Sequence, residues 1–155
     1  MSESDWKLPW LGGCRCDRVR FRVTMGPLLS FACHCTGCQR MTAGPYSLTL
    51  VVPAASLELT AGEPELGGLH GPNRHFFCAY CKTWLFTRPQ GDDTTVNVRA
   101  SALDEHRWVV PFAEVYTDEA YPWALTGARH SFAGNPTDVP LGPLLEEFQR
   151  VSSRP

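Results

Sequence analysis

The spacing of the cysteines constrains this chain more than any other feature. Seven are present, in three tight groups: Cys14-x-Cys16, Cys33-x-Cys35-x-x-Cys38 and Cys78-x-x-Cys81. Two thiolates on one tight turn can grip a single tetrahedral ion, and four from two places in a sequence close a structural zinc site. Seven thiolates make one such set and leave three over. Three protein ligands with an open fourth position is the arrangement of a catalytic zinc, so the odd count points to chemistry beyond folding.

Other uses of the sulfurs fit less well. Disulfides would leave one cysteine unpaired, and the chain opens Met-Ser-Glu-Ser-Asp, without a basic and apolar leader. A thioredoxin-type redox pair at Cys78-Ala-Tyr-Cys81 lacks the βαβ setting and leaves the other two groups unexplained. A single zinc ribbon on Cys35, Cys38, Cys78 and Cys81 would place positions 39–77 between its knuckles, roughly twice the usual 15–20 residues. That alternative stays open, because the entropic cost of a longer loop grows slowly. The simpler partition joins Cys14 and Cys16 to Cys78 and Cys81, since Cys33, Cys35 and Cys38 already make three by themselves. A metal clip from the first strand to the middle of the chain would be a fold determinant. In a strand, residues two apart point the same way, so each Cys-x-Cys is expected to act as a pair of jaws, with His34 turned away from its metal in a structural role.

The remainder reads as mainly β. Val19, Phe21, Val23 and Met25 alternate with Arg18, Arg20, Arg22 and Thr24, the period-two pattern of a half-buried strand. Further strands are expected over 28–33, 47–52, 57–60, 75–78, 84–88, 94–98 and 111–116. Gly62-Glu63-Pro64, Leu66-Gly67-Gly68, Gly71-Pro72-Asn73 and 89–93 are expected as turns. Leu144, Leu145, Phe148 and Val151 recur at helical spacing, with Pro143 placed to open a short C-terminal helix.

A formal net charge of −2 provides no global positive field, so no nucleic-acid partner is expected. The local exception is Arg15, Arg18, Arg20 and Arg22, the last three of which alternation places on one face of a strand, expected to be a solvated face rather than a phosphate track. No apolar run approaches the ~20 residues of a membrane span, so a soluble, cytoplasmic protein is expected. His70, His75, His106 and His130 have no spacing that pairs them with the cysteines, though one brought close by the fold could act as an acid or base. Tyr46, Trp84, Tyr116 and Trp123 are expected in the core.

Gly12-Gly13-Cys14-Arg15-Cys16, Val19-Arg20-Phe21, Cys33-His34-Cys35-Thr36-Gly37-Cys38-Gln39-Arg40 with Gly44, Phe77-Cys78-Ala79-Tyr80-Cys81, and the late Glu114-Val115-Tyr116 and Pro122-Trp123 resemble one known family. It is the glutathione-dependent formaldehyde-activating enzyme family, which also contains centromere protein V. The resemblance runs from about Leu11 to Gly134. It implies a single-domain β-tent zinc fold over 11–134, preceded by an N-terminal tail (1–10) and followed by a C-terminal extension with a short helix (135–155).

The resemblance also implies two zinc ions per chain, a structural one on Cys14, Cys16, Cys78 and Cys81 and a second on Cys33, Cys35 and Cys38. The implied activity is a carbon–sulfur lyase of the S-(hydroxymethyl)glutathione synthase type, with glutathione or another small thiol and a small aldehyde as partners. The alternative is a non-catalytic, zinc-stabilised protein-binding module. Three thiolates and a divalent ion sum to one negative charge, which makes the ion a weak Lewis acid and favours activating a thiol over polarising a carbonyl. Arg40, just after the triad, is the candidate for a glutathione carboxylate, because guanidinium grips carboxylates with two bonds. Family members usually carry glycine directly after the last cysteine pair, where this chain has Lys82. If that position needs positive φ, the substitution costs roughly 1 kcal/mol.

Overall fold

The computed structural model describes residues 6–67 and 71–152. The opening Met-Ser-Glu-Ser-Asp, Gly68, His70 and the last three residues of the C-terminal extension lie outside the described residues. Among the described residues the architecture is mainly β with a short C-terminal helix, as expected, together with a second short helix that was not expected.

A small sheet of three strands is built from β1 (Trp10–Gly13), β2 (Arg20–Val23) and β5 (Leu57–Ala61), with β2 in the middle. The alternation predicted around Phe21 holds: Val19, Phe21 and Val23 are buried while Arg22 is exposed. The strand is shorter than its pattern. Arg18 falls outside it and lies over the Tyr80 ring, 3.4 Å from the centroid. Arg20 pairs with Asp104 and Asp17, and Arg22 with Glu58, so acids answer the outward arginines. β1 was not predicted, because two of its four residues are glycines. Gly12 is required by close approach: a Cβ there would sit 2.5 Å from the Ala102 carbonyl oxygen and 2.6 Å from the Phe21 ring.

The second sheet has eight strands in the order β11-β10-β3-β4-β9-β8-β7-β6. These are β3 (Leu29–Cys33), β4 (Ser47–Pro53), β6 (Pro64–Leu66), β7 (Arg74–Cys78), β8 (Trp84–Arg88), β9 (Thr95–Arg99), β10 (Ala113–Val115) and β11 (His130–Ser131). β6 occupies ground expected to be turn, and β10 runs parallel to both β3 and β11.

Cross-strand register decides what each face carries. Leu50, Val98, Phe86 and Phe76 form one row across β4, β9, β8 and β7, and this face packs into the apolar core. The opposite face carries Cys33 opposite Ser47, then Phe31, Thr49 and Arg99 in register, then Asn97, Thr87 and His75. Polar and sulfur-bearing side chains are thus gathered on one side of the sheet by strand alternation alone.

Two departures from the sequence reading involve the chain ends. Trp6 and Trp10, placed in the tail by sequence, are 5% and 7% exposed and pack with Trp108 and Phe148. The C-terminal helix α2 (Leu141–Val151) begins two residues before Pro143. Leu144 and Phe148 are buried as predicted, but Leu145 is half-buried and Val151 is exposed at the frayed end.

Candidate metal centres

Cys14 and Cys16 do not lie in a strand; they form the turn that joins β1 to β2. The turn closes by Cys14 N–H donating to the Val19 carbonyl (3.0 Å), with Val19 N–H donating back to the Cys14 sulfur (3.3 Å). Cys78 ends β7, and Cys81 lies in the following turn, where its N–H donates to the Cys78 sulfur (3.5 Å). A bond from Arg15 N–H to Thr83 Oγ1 (3.1 Å) ties the two turns together.

All four sulfurs then lie within 4.8 Å of one another, including separations of 3.5 Å for Cys14–Cys16 and 3.8 Å for Cys16–Cys78. None is in a disulfide. Zinc–sulfur bonds of about 2.3 Å in a tetrahedron place sulfurs about 3.8 Å apart, so the tetrad fits zinc. Cys14 and Cys78 are buried. The cluster joins a hairpin of the small sheet to a hairpin of the large one.

Lys82 follows in the left-handed region at φ 61°. Its N–H donates to the Cys78 carbonyl (3.0 Å), closing the turn. This is the positive φ that the glycine of other family members would supply without strain.

The three remaining cysteines are positioned differently from the expected strand jaws. β3 ends at Cys33, and a short helix, α1 (Thr36–Thr42), follows at once. Cys35 caps that helix, its sulfur accepting the Cys38 N–H at 3.3 Å. Glu119 accepts the Thr36 N–H (3.1 Å) and hydroxyl (2.8 Å), and Gln39 Nε2 donates to the His34 carbonyl (2.7 Å), so the helix start is pinned on two sides. The three sulfurs lie within 4.8 Å of one another, a spacing that zinc fits as well. Hydrogen bonds from the Cys33 and Cys38 thiols, then from the helical N–H groups, hold the Cys35 thiol far below its usual range, while the same contacts push Cys33 up.

His34, between two of these sulfurs, is fully buried and turned to Glu114, with Nε2 2.8 Å from Oε1. Glu114 also accepts from Thr126 N–H (3.2 Å) and Ser131 Oγ (2.9 Å). Burial pushes its carboxyl up, but these donors outweigh that and leave it below the ordinary carboxylate value. The structural role expected of His34 is what the geometry shows.

The trio opens on a cavity of about 370 Å³ whose walls include Ser47, His75, Trp84, Asn97, Arg99 and Tyr116. Among the described residues, no histidine or carboxylate brings a fourth ligand atom into the trio's cluster. Among the described residues, His75 is the histidine that lines this cavity; its Nδ1 lies 2.8 Å from Thr87 Oγ1. His130 instead faces Glu147 (2.9 Å), and His106 is exposed. Arg40 does not join this cavity. It is exposed and lines a separate depression with Gln39, Pro45, Tyr121 and Trp123. Of the aromatics expected in the core, Trp84 is buried, Tyr46 and Tyr116 are half-buried, and Trp123 is 75% exposed and stacked on Tyr121.

Sequence reasoning passed over Arg99. It is 6% exposed, its guanidinium sits 4.1 Å from the Trp84 ring centroid, and no carboxylate among the described residues pairs with it. Burial pulls its pKa down to about 10, against the pull of Cys38 and Cys33, so it stays a cation at neutral pH. A visible signal existed, since Asn97 and Arg99 alternate with the core residues Val96 and Val98.

Among curated proteins there is no significant match to the sequence. The fold is similar to the crystal structure of a Rhodobacter sphaeroides protein solved as a structural-genomics target. The TM-score is 0.52 at 16% sequence identity, covering 79% of this chain and 98% of that one. The profile of the glutathione-dependent formaldehyde-activating enzyme family matches residues 10–119, a stretch that holds all seven cysteines. The chain therefore belongs to the glutathione-dependent formaldehyde-activating enzyme family.

Proposed function

We propose that this protein makes and breaks the carbon–sulfur bond between a small thiol, such as glutathione, and formaldehyde or a related small aldehyde. Two zinc ions per chain are part of this reading, the one on Cys14, Cys16, Cys78 and Cys81 structural and the one on Cys33, Cys35 and Cys38 functional. The observation that carries it is the contrast between a closed set of four sulfurs and a set of three that faces a cavity. When bound by the trio, zinc would supply a soft Lewis acid that favours the thiolate form of an incoming thiol.

The chain's own residues do the rest. The cavity gives the reacting atoms a place beside the sulfurs, His75 and Tyr116 lie in its wall as groups able to exchange a proton, and α1 fixes the sulfurs in place. In the forward direction the substrate sulfur attacks the aldehyde carbon and a C–S bond forms. The π electron pair moves to oxygen, which takes up a proton; the reverse reaction returns thiol and aldehyde. A glutathione-rich cytoplasm suits this chemistry.

Thiols add to formaldehyde unaided, so the test must measure acceleration. Exchange NMR of a glutathione–formaldehyde mixture at equilibrium should show faster interconversion with the wild-type protein than with Cys35→Ser. Equal exchange rates would refute the reading. The rival, a non-catalytic binding module, has the exposed Tyr121–Trp123 pair in its favour and predicts that equality.

A further inference from the structure

Arg99 is a buried cation with unused donors in the wall of the trio's cavity. A guanidinium offers five N–H groups. Of these, one from Nη2 goes to the Asn97 carbonyl at 3.3 Å, and Nε has no partner among the described residues. Leaving a buried charge unpaired is costly, and native structures keep such groups where a partner arrives later or a function needs them. The nearby sulfurs of Cys33 and Cys38 offset part of the cost without accepting a hydrogen bond from it. The Trp84 ring under the guanidinium fixes its plane.

Arg99 also stands at a partition. With Met41 and Trp84 it lines both the trio's cavity and a neighbouring one of about 390 Å³ that includes Tyr46, Lys82 and Ser101. A ligand bringing sulfur to the trio therefore passes within reach of a fixed, dehydrated fork of N–H donors. Soft sulfur suits the trio, and hard anionic oxygens suit the fork.

We propose that Arg99 is the specificity-determining residue of this site, binding a carboxylate of the thiol substrate while its sulfur engages Cys33, Cys35 and Cys38. This rests on the thiol-accepting reading of the trio given above. It also displaces Arg40 from that role on magnitude: an exposed ion pair contributes at most a few-fold in affinity, whereas a desolvated charge-assisted pair contributes about 10- to 100-fold.

The test compares two thiols that differ in the carboxylate. The zinc-loaded wild type, Arg99→Gln and Arg99→Lys are titrated by calorimetry with 3-mercaptopropionate and with 2-mercaptoethanol, with zinc content and melting temperature measured on each. Arg99→Gln should lose about 10- to 100-fold in affinity for 3-mercaptopropionate and less than about threefold for 2-mercaptoethanol. Arg99→Lys should recover part of the difference, since it restores charge without the fork. Intrinsic differences between the thiols cancel in this cycle. Equal losses for both thiols would overturn the assignment and leave Arg99 a merely structural neighbour of the trio. If neither thiol binds even the wild type, the thiol-accepting reading itself fails and takes this one with it.

Discussion

The two cysteine clusters offer the same ligand chemistry in opposite settings. In the tetrad, two reverse turns from different sheets meet face to face, every sulfur has a counterpart, and two of the four are buried. In the trio, a strand end and a helix cap supply sulfurs from only six consecutive residues, 33–38, and a cavity takes the remaining side. The tetrad's contacts are long-range and hold sheets together; the trio's are local and sit on a scaffold that other residues already secure. Turns from distant parts of the sequence can surround an ion, whereas here the single segment 33–38 leaves one side of its sulfurs facing the cavity.

The comparison breaks most directly if the clusters are exchanged in importance. Cys78→Ser should abolish a cooperative melt, because metal binding of this kind supplies about 10–16 kcal/mol of apparent folding free energy. Cys35→Ser should retain a cooperative melt near the wild-type temperature while losing one equivalent of zinc. Circular dichroism with metal analysis checks both, and a fold that survives the first change but not the second would invert the account.

A smaller effect concerns what orients the trio. Glu114→Gln removes a carboxylate that accepts from His34, Thr126 and Ser131. A loss of about 1–3 kcal/mol in denaturant unfolding is expected. The sign with pH follows from the lowered carboxyl. Its stabilising contribution is fully present above the ordinary carboxylate range and disappears as pH falls through the lower folded-state value. The wild type should therefore lose more stability than Glu114→Gln as pH falls below the ordinary carboxylate range.

The smallest expected effect sharpens the tetrad side. Lys82→Gly should relieve left-handed strain next to Cys81 and raise stability by under about 1 kcal/mol. The exposed Lys82–Glu65 ion pair lost with it offsets only part of the gain. A melting temperature that falls in the variant would show that the knuckle is not strained.

The strands around Phe21, Leu50, Phe86 and Val98 were legible because alternation is a local signal, and so was the grouping of sulfurs into four and three. Helix α1 was not legible: it buries none of its seven residues completely, so it carries no apolar period, and Cys33-x-Cys35 mimics strand spacing. β11 and β6 are two and three residues long, too short for any pattern. Arg99 could be placed on a strand face from sequence, yet its position beside the trio depends on the register linking β3, β4 and β9, which involves residues 31, 49 and 99 together. Trp6 and Trp10 read as tail because their partners, Trp108 and Phe148, are distant in sequence.

The most direct test of the central claim is zinc X-ray absorption on metal-quantified native protein, with and without glutathione. The account predicts two zinc ions per chain and a mean sulfur coordination per zinc that rises by about one half on adding the thiol, as the trio's site moves from three sulfurs to four while the tetrad's stays at four. One zinc per chain, or two whose spectra do not change with glutathione, would contradict it.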